Sequence, residues 1–197
     1  MKKVIVSQRI TVDPETGETR DALDTRLCEL IIECGAAPFP IPNQMGGSQL
    51  VNEWFRCLRP DAILFSGGQD FGCFPNRDNL EFKLLEIAAE KLIPTLGFCR
   101  GMQLIVKREG GELEVVSGHV GTSHKLSGHY THTVNSFHTL SPTRLPKCFE
   151  VLASTKDNHI EAIRHKELPF EGWMWHPERS EHYRELHLNL IKDKLQI

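Results

Sequence analysis

The stretch from Ile93 to Gln103 constrains this chain more than any other. Ile93 to Phe98 is an apolar run of strand length, and the residues from Arg100 onward suit a helix, so strand must pass into helix within a residue or two. Cys99 stands at that bend, bracketed by Gly97 and Gly101. A strand-to-helix turn this tight holds its central residue in a strained conformation, which small neighbours relieve, and lifts the side chain above the sheet edge. The same position lies at a helix N-terminus, where unpaired N–H groups favour an attacking thiolate. A lone cysteine is more often buried and inert. The flanking glycines, the apolar strand and a histidine downstream turn the reading toward a nucleophile.

The rest of the chain alternates short apolar runs with amphipathic stretches. Val4 to Val6 reads as a strand followed by a polar loop through Pro14 and Gly17, then a helix from about Asp21 with Leu23, Leu27, Leu30, Ile31 and Cys34 on one face and Gly35 as its stop. Phe39 and Ile41, set among prolines, suit an edge strand. A second helical stripe (Leu50, Val51, Trp54, Phe55, Leu58) precedes the strand Asp61 to Phe65, which ends in Ser66-Gly67-Gly68. Asp78 and Glu81 have capping-box spacing for a helix burying Phe82, Leu85, Ala89 and Leu92. Glu112 to Val116, Phe149 to Ala153, Ile160 to Ile163 and Gly172 to Trp175 are further strands, and a helix from about Glu181 turns Leu186, Leu190 and Ile191 inward. This order predicts one α/β domain over residues 1–197: a doubly wound, mostly parallel sheet with flanking helices and a small antiparallel portion.

Composition excludes several function classes. A net charge of -3 without a basic, aromatic-interleaved stripe argues against nucleic acid, and no run approaches the about 20 apolar residues of a membrane span. Six cysteines lack C-x-x-C spacing and are expected as reduced thiols in a cytoplasmic protein.

The second chemical signal is Trp175-His176-Pro177-Glu178, directly after an apolar strand. A thiol nucleophile needs a base to take and return its proton, and the base needs an orienting acceptor; His176 and Glu178 suit those roles, two residues apart on an extended segment. An acyl transfer also needs donors aimed at the developing oxyanion, which the Gly67-Gly68 turn and the elbow helix can supply. Gln103, four residues after Cys99, falls on the nucleophile's face of its helix. Between Ser117 and His138 stand His119, His124, His129, His132 and His138, with no cysteine pair or acidic ligand at metal-binding spacing; they read as solvated loop histidines rather than a zinc site.

Gly97-Phe98-Cys99-Arg100-Gly101-Met102-Gln103 with the later Trp175-His176-Pro177-Glu178 resembles the class I glutamine amidotransferase family, and within it the γ-glutamyl hydrolase-like branch; the resemblance covers nearly the whole chain. It implies a flavodoxin-like fold, no cofactor, and a Cys99-His176-Glu178 triad that cuts a γ-glutamyl amide of a small molecule through a thioester. It further implies an oxyanion hole from the Gly68 and Arg100 amides, with Gly67, Gln103 and the segment Asn135, Ser136, Phe137 and His138 beside the substrate. Asp157 to Ala162 matches a strand-turn segment of that branch. Thr139-Leu140 after His138, Met174 before the Trp-His-Pro-Glu segment, and a compact middle depart from the branch's pattern on the leaving-group side. Arg9 and Arg20, near the exit of the first strand, are candidate partners for an anionic leaving group. By analogy with a compact relative in capsule phosphoramidate synthesis, γ-glutamyl-CDP-amidate is a candidate substrate. The alternative is a glutaminase subunit that passes ammonia to a separate synthetase.

Overall fold

Four of the apolar runs assemble side by side and in parallel, and their exits define one edge of the molecule. In the computed structural model, which describes residues 1–197, the first half of the chain runs β1 (Lys3–Val6), β2 (Arg9–Val12), β3 (Thr19–Ala22), α1 (Thr25–Glu33), β4 (Ala37–Pro40), α2 (Leu50–Leu58), β5 (Ala62–Phe65), α3 (Pro75–Lys91), β6 (Thr95–Phe98) and α4 (Arg100–Arg108). The second half continues β7 (Glu112–Val115), β8 (Val120–Lys125), β9 (Ser127–Gly128), β10 (Thr133–Phe137), β11 (Leu140–Arg144), β12 (Phe149–Ser154), β13 (Ile160–His165), β14 (Phe170–Trp173) and α5 (Arg184–Leu195).

The central sheet has eight strands in the order β4-β1-β5-β6-β14-β13-β12-β9. From β4 to β14 every pairing is parallel; β13, β12 and β9 continue it antiparallel. The edge placement of β4 follows from Pro38 and Pro40, which cannot donate to a ladder on both sides. Strand alternation then divides the core. Val4, Val6, Leu64 and Phe98 pack with Leu30, Ile31 and Ile191 of α1 and α5 on one face, while Ile5, Ile63 and Phe65 pack with Leu80, Leu84, Met102 and Ile105 of α3 and α4 on the other. Each fully buried aliphatic side chain of this kind contributes about 1.5–3 kcal/mol.

Several local expectations are corrected. The segment around Asp21 is not helical: β2 and β3 form a hairpin whose turn is closed by the Asp13 carboxylate accepting from the Glu15 and Thr16 amides, with Gly17 at φ 71°. Asp21 instead accepts from the Asn43 backbone and side chain, and Asp24 caps α1 by accepting from the Arg26 amide. Asp78 and Glu81 are not a capping box, because α3 already starts at Pro75, whose ring presets the first helical φ. The buried face of α3 is Leu80, Leu84, Leu85, Ile87 and Ala88; Leu92 is an exposed left-handed cap. In α5 the inward residues are His187, Ile191 and Leu195, four apart, while Leu186 faces solvent. β7 pairs only with β11, and β8 only with β10, so the histidine-rich region forms short ribbons beside the central sheet.

Candidate active site

Parallel register carries the carboxyl ends of β1, β5, β6 and β14 to the same edge, with Val6 opposite Leu64, Phe65 opposite Gly97, and Trp173 opposite Phe98. The residues that follow those ends are Arg9, Gly67, Cys99 and His176, and all four line the cleft at this edge. Cys99 has φ 52° and ψ -106°, a conformation that L-residues rarely adopt, and its amide is anchored by donating to the Trp173 carbonyl at 2.7 Å. The bracketing glycines are required by close approach: a Cβ on Gly97 would strike the Gly101 backbone, and one on Gly101 the Phe65 carbonyl.

His176 Nδ1 donates to Glu178 Oε1 at 2.6 Å, and both side chains are buried. Glu178 reaches it from the short 3-10 turn Pro177–Arg179 rather than from an extended segment. Burial opposes a charged His176, but the adjacent Cys99 thiol and the Glu178 carboxylate outweigh it and raise the imidazole to about 9. Gly67 fits beneath this ring, where a Cβ would lie 2.7 Å from His176 Cε1 and 3.7 Å from Cys99 Cβ. Gly68 lines the same cleft, and Arg100 begins α4 with an amide that has no partner within the helix.

The remaining expected residues divide sharply. Asn135 clamps the backbone of His176: its Nδ2 donates to the His176 carbonyl at 2.8 Å and its Oδ1 accepts the His176 amide at 2.9 Å. Phe137 stands edge-on to the His176 ring on the open side of the cleft. Ser136 is fully buried and donates to the His119 carbonyl, and His138 is buried against Glu161, so neither reaches the cleft. Gln103 is also buried, donating to the Leu140 carbonyl at 3.1 Å. Arg20 lies on the exposed β2/β3 hairpin and pairs with Glu18, away from the cleft lining. The Arg100 side chain turns away too, into buried ion pairs with Glu81 and Asp78 and over the Phe71 ring at 4.1 Å.

Two arginines were not anticipated. Arg77, 1% exposed, donates from Nη2 to the Ser66 carbonyl at 3.1 Å and the Gly67 carbonyl at 3.0 Å, while its Nε donates to Glu81 at 2.9 Å. Burial pushes the Glu81 carboxyl up, and Arg77 and Arg100 together more than reverse this, holding it below the usual carboxylate range. The glycine turn and the elbow helix are thus tied through one buried carboxylate. The four-residue spacing of Arg77 and Glu81 on a helix was the available signal. Arg179, from the turn that carries Glu178, lies over the Phe137 ring at 4.9 Å and enters the cleft beside Arg9.

The family model for glutamine amidotransferase class-I matches residues 20–193. The chain belongs to the class I glutamine amidotransferase family. Among its relatives in this amidotransferase family, the gamma-glutamyl-CDP-amidate hydrolase of Campylobacter jejuni is 35% identical over 125 residues, 60% of this chain and 62% of the hydrolase, so less than two thirds of that relative is spanned. The glutamine-hydrolysing GMP synthase subunit of Pyrococcus abyssi is 34% identical over 158 residues, 71% of this chain and 79% of that protein. A putative GMP synthase subunit from Thermoplasma acidophilum shares the amidotransferase fold at TM-score 0.74 and 21% identity, over 100% of this chain and 93% of that one. No helix here is long and apolar enough to cross a membrane.

Proposed function

We propose that this amidotransferase-family domain hydrolyses a γ-glutamyl amide whose leaving group carries negative charge, with a γ-glutamyl nucleotide amidate such as γ-glutamyl-CDP-amidate as the candidate. Cys99 Sγ attacks the γ-carbonyl carbon as the thiolate, its proton already held on the His176 imidazolium that persists below about pH 9, and Glu178 holds the ring by accepting from Nδ1. Charge on the tetrahedral oxygen faces the Gly68 and Arg100 amides. The C–N bond then breaks, His176 returns the proton to the departing nitrogen, and water, deprotonated by the same imidazole, cleaves the thioester to release glutamate. The observation that carries this reading is the pair Arg9 and Arg179 on the open side of the cleft that holds Cys99 and His176. Plain glutamine, whose leaving group is ammonia, offers such cations no negative charge on the leaving-group side. The Campylobacter jejuni relative supports the same substrate class through its name.

A second reading has its own support, since a match covering 71% of the chain is to a glutamine-hydrolysing synthase component. In that case the domain would release ammonia from glutamine for a separate partner. The two are separated by measuring glutamate release from glutamine, γ-glutamyl-γ-aminobutyrate, folate polyglutamate and a γ-glutamyl nucleotide amidate. A higher kcat/KM for the nucleotide amidate is expected, and a preference for free glutamine would replace the first reading with the second.

A further inference from the structure

His119, His138 and Glu161 come from three separate places: the loop before β8, the turn between β10 and β11, and β13 of the central sheet. All three are buried, at 1%, 2% and 0% exposure. His119 Nδ1 lies 3.3 Å from His138 Nε2, His138 Nε2 lies 3.1 Å from Glu161 Oε1, and His119 Nδ1 lies 3.5 Å from the same oxygen. These three atoms form a nearly equilateral triangle. Ligands held about 2.0–2.1 Å from a tetrahedral zinc ion are separated by about 3.3 Å, so the triangle has the size of one face of such a polyhedron.

The outward hydrogen bonds fix what each ring presents. His138 Nδ1 faces the Leu140 carbonyl at 3.1 Å, an acceptor only, so that nitrogen must carry the proton. His119 Nε2 faces the Asp157 carboxylate at 3.4 Å and must likewise donate. In neutral rings the inner nitrogens then turn lone pairs toward each other and toward a carboxylate oxygen, an arrangement that is repulsive unless something positive stands between them. Outward partners of this kind, a backbone carbonyl and a carboxylate, are those that orient metal-binding imidazoles. Independently, Glu161 Oε2 is buried with no hydrogen-bond partner. The sequence spacing had offered no acidic ligand to the histidines; the fold supplies one from β13.

We propose that His119 Nδ1, His138 Nε2 and Glu161 bind a divalent zinc-type ion, which fastens the histidine-rich ribbons to the central sheet. Three protein ligands leave a position for water. None of the three lines the cleft that contains Cys99, so the ion's role is to hold the scaffold.

The test uses the full-length protein, stripped with a chelator and titrated with Zn²⁺ and Co²⁺. One equivalent of either ion is expected, with the intense visible bands of four-coordinate cobalt. His119→Ala and Glu161→Gln should each weaken zinc binding by at least the roughly 10–100-fold that loss of a supporting partner alone costs. Cys148→Ser should bind as wild type, although Cys148 with Glu109 and His165 is another grouping of ligand atoms. Failure of folded wild-type protein to take up either ion, unchanged zinc affinity in His119→Ala, or loss of binding in Cys148→Ser would each overturn the proposal. Should Glu161→Gln not fold, imidazole ¹⁵N spectra of wild type decide: zinc must shift His119 Nδ1 and His138 Nε2, and shifts confined to other histidines refute the site.

Discussion

Arg77 Nη2 donates to the Gly67 carbonyl at 3.0 Å, so a helix residue that never touches the cleft holds the turn beneath His176. Replacing Arg77 with Met removes this donor, strands the Ser66 carbonyl, and leaves Glu81 with Arg100 as its remaining cation. Breaking one side of a buried ion-pair network costs roughly 3–5 kcal/mol, which urea unfolding should show, together with a fall in kcat as the Gly68 amide loses its position. Unchanged stability and turnover would remove Arg77 from the site's support.

Cys99→Ala should abolish glutamate release while the protein remains folded, and a glutamine-like chloroketone should label Cys99 alone among the six cysteines. The elbow adds a second expectation. At φ 52° a side chain costs on the order of 1–3 kcal/mol, so Cys99→Gly should unfold at higher urea than Cys99→Ala. Labelling at Cys73 or Cys57, the two exposed thiols, would displace Cys99 from its role.

Folding raises His176 from its ordinary 6.5 to about 9. The folded value lies above the unfolded one, so the stabilisation is complete below about pH 6.5 and is lost as pH rises through about 9. Wild-type stability should therefore decline between those values, and His176→Gln should show no such decline. Glu178→Gln should lower kcat much less than His176→Ala, because packing can partly replace an orienting acceptor but not a proton carrier. A silent His176→Ala would sink the mechanism.

For an anionic substrate, Arg9→Met or Arg179→Met should raise KM by the about 1.5–3 kcal/mol of one charged hydrogen bond, tenfold or more, with little change for glutamine. Arg20→Met should change neither, since Arg20 is occupied by Glu18 on the hairpin. Equal losses on both substrates would place Arg9 and Arg179 at the glutamyl end.

Legibility in the sequence followed the range of the interactions. Cys99, Gly97 and Gly101 could be read because strand, bend and helix are contiguous, and His176 with Glu178 because two positions separate them. Arg9 and Arg20 looked equivalent because both flank the first strand's exit, and only the hairpin's pairing of Arg20 with Thr11 separates them. Ser136 and His138 sit close in sequence to Asn135, which braces His176, yet the alternation along β10 turns Ser136 inward and the turn after β10 buries His138. The Asp78 and Glu81 pattern misled because carboxylates at capping spacing can equally serve buried arginines, and their partner Arg100 lies too far along the chain for a local rule to connect them.

β14 comes after the other strands of residues 1–197 along the chain, yet it lies between β6 and β13 in the middle of the sheet. While a ribosome has delivered Cys99 but not yet Phe170 to Glu178, the nascent chain has the Cys99 thiol at its elbow and an empty lane beside it where β14, the strand that leads to His176, belongs. Long-range closure of this kind is slow, because the loop entropy must be met before the new contacts form. The Cys99 thiol therefore meets the His176 imidazole in the same step that completes the sheet. On the function proposed above, a chain cut before Phe170 is expected to leave γ-glutamyl amides intact, because Cys99 then has no His176 beside it.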